Sequence, residues 1–234
     1  MTERTEAILE AALRDFIKTG RPITSESLFH TYDFGIKPAM IRWELNELSK
    51  AGYFFQRHPS GGRIPSDKAY RFFTERALRE DEVRERDTRG FEDAFSDFIK
   101  GARRTFVEDL AERFGNLSVG YEPERGEVYE SGLHELLSRL QDDAITTNEM
   151  IQIVNDFESI PSRVHELRSW WEEERSWPRV FIGKNPFTRS AHVAVVASCL
   201  KCDDGGFLLL SIGPKRMDYT KPIRAFRFFE RSLE

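Results

Sequence analysis

The segment Lys37-Pro-Ala-Met-Ile-Arg-Trp-Glu-Leu-Asn-Glu-Leu-Ser-Lys-Ala-Gly52 predicts one helix with a defined beginning and end. Proline suits a first helical turn, where its missing N–H group is no loss, and glycine suits the residue after the last turn. Within the helix, Ile41, Leu45 and Leu48 recur at helical spacing, which predicts a buried stripe. A second stripe is expected to face away from the core: Ala39, Arg42, Trp43 and Asn46. Such a face is suited to reading another molecule.

The segments around this helix predict a winged helix-turn-helix. Residues 2–19 have the pattern of a first helix, and Thr24 or Ser25 can cap a short second one. The glycine turn of Asp33-Phe-Gly-Ile36 leads into the third helix. After it, two extended segments flank His58-Pro-Ser-Gly61, which predicts a β-hairpin that serves as the wing. A further helix is expected to begin after the wing.

The distribution of charge favours a nucleic-acid partner for this part of the chain. The net charge of the whole chain is −5. Residues 1–76 nevertheless carry 12 Lys and Arg against 10 Asp and Glu, whereas the remainder carries 23 against 30. A locally basic module therefore belongs to an otherwise acidic protein.

The residue types on the outward stripe match the edges of base pairs. Arg42 can make a bidentate contact to guanine and Asn46 to adenine, whereas Trp43 and Met40 can contact a thymine methyl group or a sugar. The wing can bring backbone and positive charge to the phosphates. The predicted DNA contacts are Lys37, Ala39, Met40, Arg42, Trp43, Asn46, Arg57, His58, Ser60, Gly61, Gly62, Arg63, Lys68 and Arg71. The alternative is a solvated hairpin beside a surface helix whose tryptophan packs on a neighbour.

The middle of the chain predicts a helical connector over residues 77–115. Residues 79–89 are almost wholly charged with mixed sign, which favours a solvated helical connector over the alternative of a partner site. From Phe91 to Phe114, aromatic and aliphatic residues recur at helical spacing over more than six turns. We expect one long helix whose apolar stripe packs on a partner surface, either the C-terminal part or the same helix of a second chain.

The pattern over residues 116–234 predicts a mixture of helices and strands. The expected elements are a hairpin at 117–121 and 127–129, helices at 132–140, 148–159 and 161–175, strands at 179–182, 193–199 and 207–212, and a closing helix from Pro222. Cys199 and Cys202 are expected to be reduced thiols. The segment from Gly213 to Tyr219 is either an anion-binding loop or a shaped connector, in which Asp218 pairs with Arg216 and Tyr219 packs inward.

Other classes of function find little support in the sequence. The five histidines are scattered, and the chain has no phosphate-binding glycine loop and no nucleophile elbow, so we expect no enzyme, no metal site and no cofactor. The chain also lacks an apolar run long enough to span a bilayer and an N-terminal signal segment, so we expect a cytoplasmic protein.

Motifs at both ends of the chain resemble the bacterial heat-inducible transcription repressor family HrcA. The N-terminal motifs are Thr2-Glu-Arg4, Gly20-Arg-Pro22, Lys37-Pro-Ala-Met-Ile-Arg-Trp-Glu44, His58-Pro-Ser-Gly-Gly-Arg-Ile-Pro65 and Asp67-Lys-Ala-Tyr-Arg-Phe72. The C-terminal motifs are Ser131-Gly-Leu-His-Glu-Leu-Leu137, Phe181-Ile-Gly-Lys-Asn-Pro186 and Ile212-Gly-Pro-Lys-Arg-Met-Asp-Tyr219. The wing and the last of these strings are the most specific of the motifs.

The resemblance implies an α+β protein with a winged helix-turn-helix over residues 1–76 and a GAF-like domain over residues 116–234. It also implies a homodimeric repressor of heat-shock and chaperone genes that binds an inverted-repeat (CIRCE-like) operator and depends on a GroEL-type chaperonin. Two departures stand out. Lys37, Met40 and Trp43 replace the more usual Ser, Thr and Asn, and residues 122–126 form a turn where typical members carry an inserted dimerisation domain.

A function of another class is the alternative. In that interpretation the GAF-like part senses a small molecule or a protein, and the winged domain serves as a docking module. An enclosed polar pocket within residues 179–219 would favour the sensor, whereas a filled aliphatic core would count against it.

Overall fold

A computed structural model describes residues 1–56, 58, 61–79, 90–141, 147–173, 177–202 and 205–233 of the chain. Residues 80–89 of the predicted charged segment 79–89 lie outside these ranges. The chain divides into two compact units, Met1–Arg76 and Ala77–Glu234, and each is described by itself. Among the helices that the structure describes, none is long and apolar enough to cross a membrane.

The first unit has the helices and the short hairpin that the sequence predicts. Its elements are α1 (Glu3–Thr19), α2 (Ser25–Thr31), α3 (Pro38–Lys50), β1 (Phe54–Phe55), β2 (Ile64–Pro65) and the beginning of α4 (Asp67–Arg79). The two strands are antiparallel, with Phe54 opposite Pro65 and Phe55 opposite Ile64. The hairpin is thus confirmed, although each strand is only two residues long.

Local capping interactions determine where the first two helices begin and end. The Thr2 hydroxyl accepts a hydrogen bond from the backbone N–H of Thr5, and Gly20 ends α1 in the left-handed conformation at φ 65°. Thr24 caps α2 in a reciprocal arrangement with Ser27. Each cap satisfies backbone groups that have no partner within the helix.

The apolar stripe of α3 forms part of the core of the first unit. Ile41, Leu45 and Leu48 are buried, as predicted. They share this core with buried aliphatic residues of α1 and with Phe54 of the hairpin. Burial of one face of α3 leaves the opposite face to solvent.

The second unit is an α+β arrangement around a five-stranded sheet. Its helices are α5 (Glu92–Ile99), α6 (Arg103–Phe114), α7 (Leu133–Gln141), α8 (Thr147–Glu158), α9 (Ile160–Glu166), α10 (Arg168–Glu173) and α11 (Thr220–Leu233). Its strands are β3 (Leu117–Glu122), β4 (Glu127–Ser131), β5 (Arg179–Ile182), β6 (Val193–Cys202) and β7 (Gly205–Pro214). The strand order is β4-β3-β7-β6-β5, and neighbouring strands are antiparallel.

The predicted long aromatic helix is wrong, because the chain breaks it into α5 and α6. Gly101 lies at φ 80°, a left-handed conformation that glycine adopts without steric cost. The helix predicted over residues 161–175 is likewise divided, into α9 and α10. In both cases the helical spacing of apolar residues continues across the break.

The aromatic stripe packs against the C-terminal part of the same chain. The ring of Phe229 on α11 lies 5.8 Å from that of Phe95 and 5.3 Å from that of Phe106. The ring of Phe98 lies 5.2 Å from that of Phe207 on β7. The sequence left open whether this stripe packs on the C-terminal part of the same chain or on a second chain. In the structure it packs within the same chain.

The segment from Gly213 to Tyr219 forms a packed connector. Tyr219 is buried, and its hydroxyl donates a hydrogen bond to the carbonyl of Lys215. The predicted partnership of Asp218 is wrong in detail. The Asp218 carboxylate accepts hydrogen bonds from the backbone and the hydroxyl of Thr220, whereas Arg216 donates to the carbonyl of Arg139.

Replacing Phe98 by alanine is predicted to destabilise the second unit by about 3–5 kcal/mol, because it leaves a cavity among buried rings. Phe98 is 1% exposed and contacts the rings of Phe106 and Phe207. The free energy of unfolding is measured by urea denaturation followed by circular dichroism. Ile99→Ala is the matched control: Ile99 is 60% exposed, and its loss is expected to cost less than about 0.5 kcal/mol. Equal effects of the two substitutions would contradict the packing described.

Candidate nucleic-acid interface

The outward face of α3 presents a contiguous set of exposed side chains. Ala39, Arg42 and Asn46 are exposed, and Trp43 and Met40 are exposed to 53% and 44%. The outward orientation that the sequence predicted for this face is confirmed. A guanidinium group, an amide and two large apolar groups are therefore available together on one helix.

A buried carboxylate anchors α3 to the first turn of α1. Glu44 is 2% exposed. Its carboxylate accepts a hydrogen bond of 2.9 Å from the Thr5 hydroxyl and lies 3.1 Å from Nε of Arg4. This contact was not predicted from the sequence. A signal was present, because Glu44 follows Ile41 by three residues and therefore lies on the apolar stripe.

The base of the wing is tied to the chain that precedes α2. The backbone N–H of Ile23 donates to the carbonyl of Arg63, and that of Arg63 donates to the carbonyl of Ile23, both at 2.8 Å. A Cβ atom on Gly62 would lie 2.7 Å from Cβ of Pro22 and 2.9 Å from the carbonyl oxygen of Ile23. The close packing of the wing on this segment therefore requires glycine at position 62, independently of any approach to phosphate.

Arg63 does not have the exposed position expected of a phosphate contact. Its side chain is buried, with the residue only 7% exposed, and the guanidinium donates a hydrogen bond to Oδ1 of Asn46. Burial, and then the neighbouring charge of Arg42, lower the pKa of Arg63. The wing is thereby connected to the outward face of α3 through a side-chain contact.

A cavity of about 430 Å³ lies between the start of α2, the outward face of α3 and the wing. Its polar lining includes the side chains of Arg42, Asn46, Gln56 and Arg63. No carboxylate is among the described residues that line it. The site is therefore locally positive, and it can bind groups that accept hydrogen bonds or carry negative charge.

The remaining predicted contacts lie at the start of α3 and on the wing. Lys37 is exposed at the start of α3, and His58 and Gly61 are exposed on the wing. Arg57 and Ser60 lie outside the described residues. No group of three or more metal-ligating side chains occurs in the part of the chain that the structure describes.

Two predicted cations on α4 differ in how they are held. The Lys68 ammonium donates to the carbonyl of Ala51 at 2.7 Å, at the end of α3, and lies 4.5 Å from the centre of the Tyr53 ring. Lys68 thus supports the C-terminus of α3, where a positive charge is favourable. Arg71 is exposed on the same helix, so it is the simpler candidate for a phosphate contact.

Comparison with known proteins confirms the resemblance to the heat-inducible transcription repressor HrcA. The chain is 34% identical to HrcA of Acetivibrio thermocellus over 119 residues, which cover 51% of this chain and 32% of that protein. It is 43% identical to HrcA of Alkaliphilus metalliredigens over 79 residues, which cover 34% of this chain and 23% of that protein. The matched part thus spans about a third or less of the length of these relatives, and no family model matches the chain.

A solved structure with the same fold has been described only as a hypothetical protein. It matches with a TM-score of 0.74 and 15% sequence identity, over 100% of this chain and 97% of that one. This level of identity shows a shared fold alone. An IclR family transcriptional regulator from Brucella abortus covers 98% of this chain at 15% identity, but its TM-score of 0.30 is too low to indicate a shared fold.

Replacing Glu44 by alanine is predicted to lower the stability of the first unit by about 1–2 kcal/mol, because it removes two charge-assisted contacts between α1 and α3. The measurement is urea denaturation followed by circular dichroism. Glu47→Ala is the matched control on the same helix. Glu47 pairs with Lys50 at 2.7 Å, but both side chains are substantially exposed, so the expected loss is under about 0.5 kcal/mol. An equal loss for both variants would show that Glu44 does not anchor the helix.

Proposed function

We propose that this chain is a sequence-specific, DNA-binding transcriptional repressor of heat-shock genes that binds an inverted-repeat operator as a homodimer. The observation that carries the proposal is the exposed face of α3 beside a positive cavity and a wing. The similarity to HrcA repressors supports the same function.

The chemistry of the exposed face suits the major groove of DNA. A guanidinium group such as that of Arg42 matches O6 and N7 of guanine, and apolar side chains such as Trp43 and Met40 match the thymine methyl group. The exposed cations Lys37 and Arg71 are suited to phosphate oxygens, which position a protein on the duplex without specifying its sequence. Base-edge and phosphate contacts are therefore both within the reach of one small unit.

Two copies of the chain would each read one half-site. In such dimers the two reading helices lie about 34–36 Å apart, or a multiple of that distance, on one side of the duplex. A CIRCE-like operator, dependence on a GroEL-type chaperonin, a GAF-like second domain and a cytoplasmic location stay predictions from the sequence.

The sensor alternative receives less support from the second unit. Two neighbouring strands of the sheet contribute aliphatic side chains to one buried hydrophobic core: Val193 and Val195 from β6, and Leu208, Leu210 and Ile212 from β7. The depression near Lys184–Arg189, of about 540 Å³, is open at the surface. A filled aliphatic core leaves little room for a small molecule within this sheet.

The direct test is selection of bound sequences from random duplex DNA by the full chain, followed by sizing of the complex. We expect enrichment of two half-sites in inverted orientation and two chains on each duplex. Affinity is expected to fall steeply as salt concentration rises, because phosphate contacts release counterions. The proposal fails if no sequence is enriched, or if the enriched duplex binds no better than random DNA.

Two arginine substitutions are predicted to affect DNA binding in different ways. Arg42→Ala is expected to relax specificity by about 1–3 kcal/mol at one base pair, because it removes a base contact. Arg71→Ala is expected to weaken binding to all sequences alike and to reduce the salt slope by about 1. Both are measured by titration of the selected operator and its single-base variants at several salt concentrations. An equal loss on specific and random DNA for Arg42→Ala would refute the role given to Arg42.

A further inference from the structure

One side-chain contact joins the wing to the middle of the reading face. The guanidinium of Arg63 donates a hydrogen bond to Oδ1 of Asn46, which is 17 residues away in the chain. Asn46 is exposed on the outward face of α3, whereas Arg63 is buried beside β2. A buried cation of the wing thus holds a side chain that is exposed where DNA would bind.

The chemistry of arginine determines which way the asparagine amide faces. A guanidinium has five N–H donors and no acceptor, so the amide atom against it has to be the oxygen. Turning the amide over would place its NH₂ group against the guanidinium, where neither group can accept a hydrogen bond. The NH₂ group of Asn46 is therefore directed away from Arg63.

Arg63 is itself held in place. Its backbone forms two hydrogen bonds with Ile23, both of 2.8 Å, and Gly62 packs against Pro22 without room for a Cβ atom. The Arg63 side chain has little exposed surface with which to contact phosphate. Its buried position therefore suits a role in orienting the side chain of Asn46.

We propose that Arg63 is a positioning residue that holds Asn46 with its amide nitrogen outward, so that Asn46 reads a base-edge acceptor and discriminates against cytosine. The inference rests on the proposed function, because it requires that α3 enters the major groove. There, purine N7, guanine O6 and thymine O4 accept hydrogen bonds, whereas the cytosine N4 amino group only donates.

This assignment differs from the one that the sequence suggested for Asn46. A bidentate contact to adenine requires the amide oxygen to accept from N6 while the nitrogen donates to N7. In the structure that oxygen already accepts from Arg63. One lone pair of the oxygen is thereby used and the oxygen is held toward Arg63, so the part of the amide that faces away from the wing is the NH₂ donor.

The test is a double-mutant cycle in the full chain, with binding measured on the selected operator and its single-base variants. Methionine at position 63 fills a similar volume but has no donor. Arg63→Met is expected to reduce discrimination against cytosine about tenfold at one position and to leave the salt slope unchanged. In an Asn46→Ala background, Arg63→Met is expected to have no further effect on that discrimination, because the group it acts through is absent.

A second variant tests the amide orientation without altering Arg63. Asn46→Asp keeps an oxygen against the guanidinium but removes the outward NH₂ group. We expect it to favour cytosine at the position where the wild type rejects cytosine. If Asn46→Asp retains the wild-type base preference, the outward atom is an oxygen and the inference is overturned. Because this variant preserves the pairing with Arg63, it decides the question even if Arg63→Met does not fold.

Arg71→Met is the matched control, since it removes an exposed arginine of the same unit. It is expected to weaken binding to all sequences alike and to reduce the slope of log affinity against log salt concentration by about 1. The same behaviour in Arg63→Met would identify Arg63 as a direct phosphate contact and overturn its positioning role. An equal effect of Arg63→Met on base discrimination with and without Asn46 would also overturn that role. If the wild type selects an operator, such results count against this inference alone. If the wild type selects none, the proposed function has failed as well.

Discussion

The two backbone hydrogen bonds between Ile23 and Arg63 are the interaction on which the candidate interface depends. They hold the wing against the segment that precedes α2, and the wing, the start of α2 and the outward face of α3 line one positive cavity. Neither strand of the wing is longer than two residues, and so short a hairpin is marginal by itself in water. Its attachment to Ile23, and the close packing of Gly62 on Pro22, therefore supply much of what keeps it in position.

Helix α3 serves two purposes because its two faces have different residues. One face is buried through its aliphatic stripe and through Glu44, whose carboxylate contacts Arg4 and Thr5. The other face stays exposed, including Trp43, a residue type that is rarely left so open. An exposed tryptophan between an arginine and an asparagine is better explained by a partner than by folding.

The aromatic stripe of the second unit is buried against other elements of the same chain. The aromatic stripe of α5 and α6 packs on α11 and on β7, with ring centres 5–6 Å apart, which is a favourable separation for aromatic pairs. Because this stripe is covered, the proposed homodimer has to use other surfaces. The filled core of the sheet likewise counts against a small-molecule sensor and favours recognition by the first unit.

The sequence by itself determined the elements of the first unit, because their signals are local. Thr2 and Thr24 begin helices and Gly20 ends one through contacts within a few residues, and apolar spacing alone separates the two faces of α3. Only the tertiary structure decided that Arg63 holds Asn46, that Glu44 anchors α3 to α1, and that Gly101 divides the aromatic helix. The first two contacts join residues 17 and 40 positions apart. Local periodicity carries no information about which distant side chains meet, and a glycine within a helical pattern is compatible with either a continuous or a broken helix.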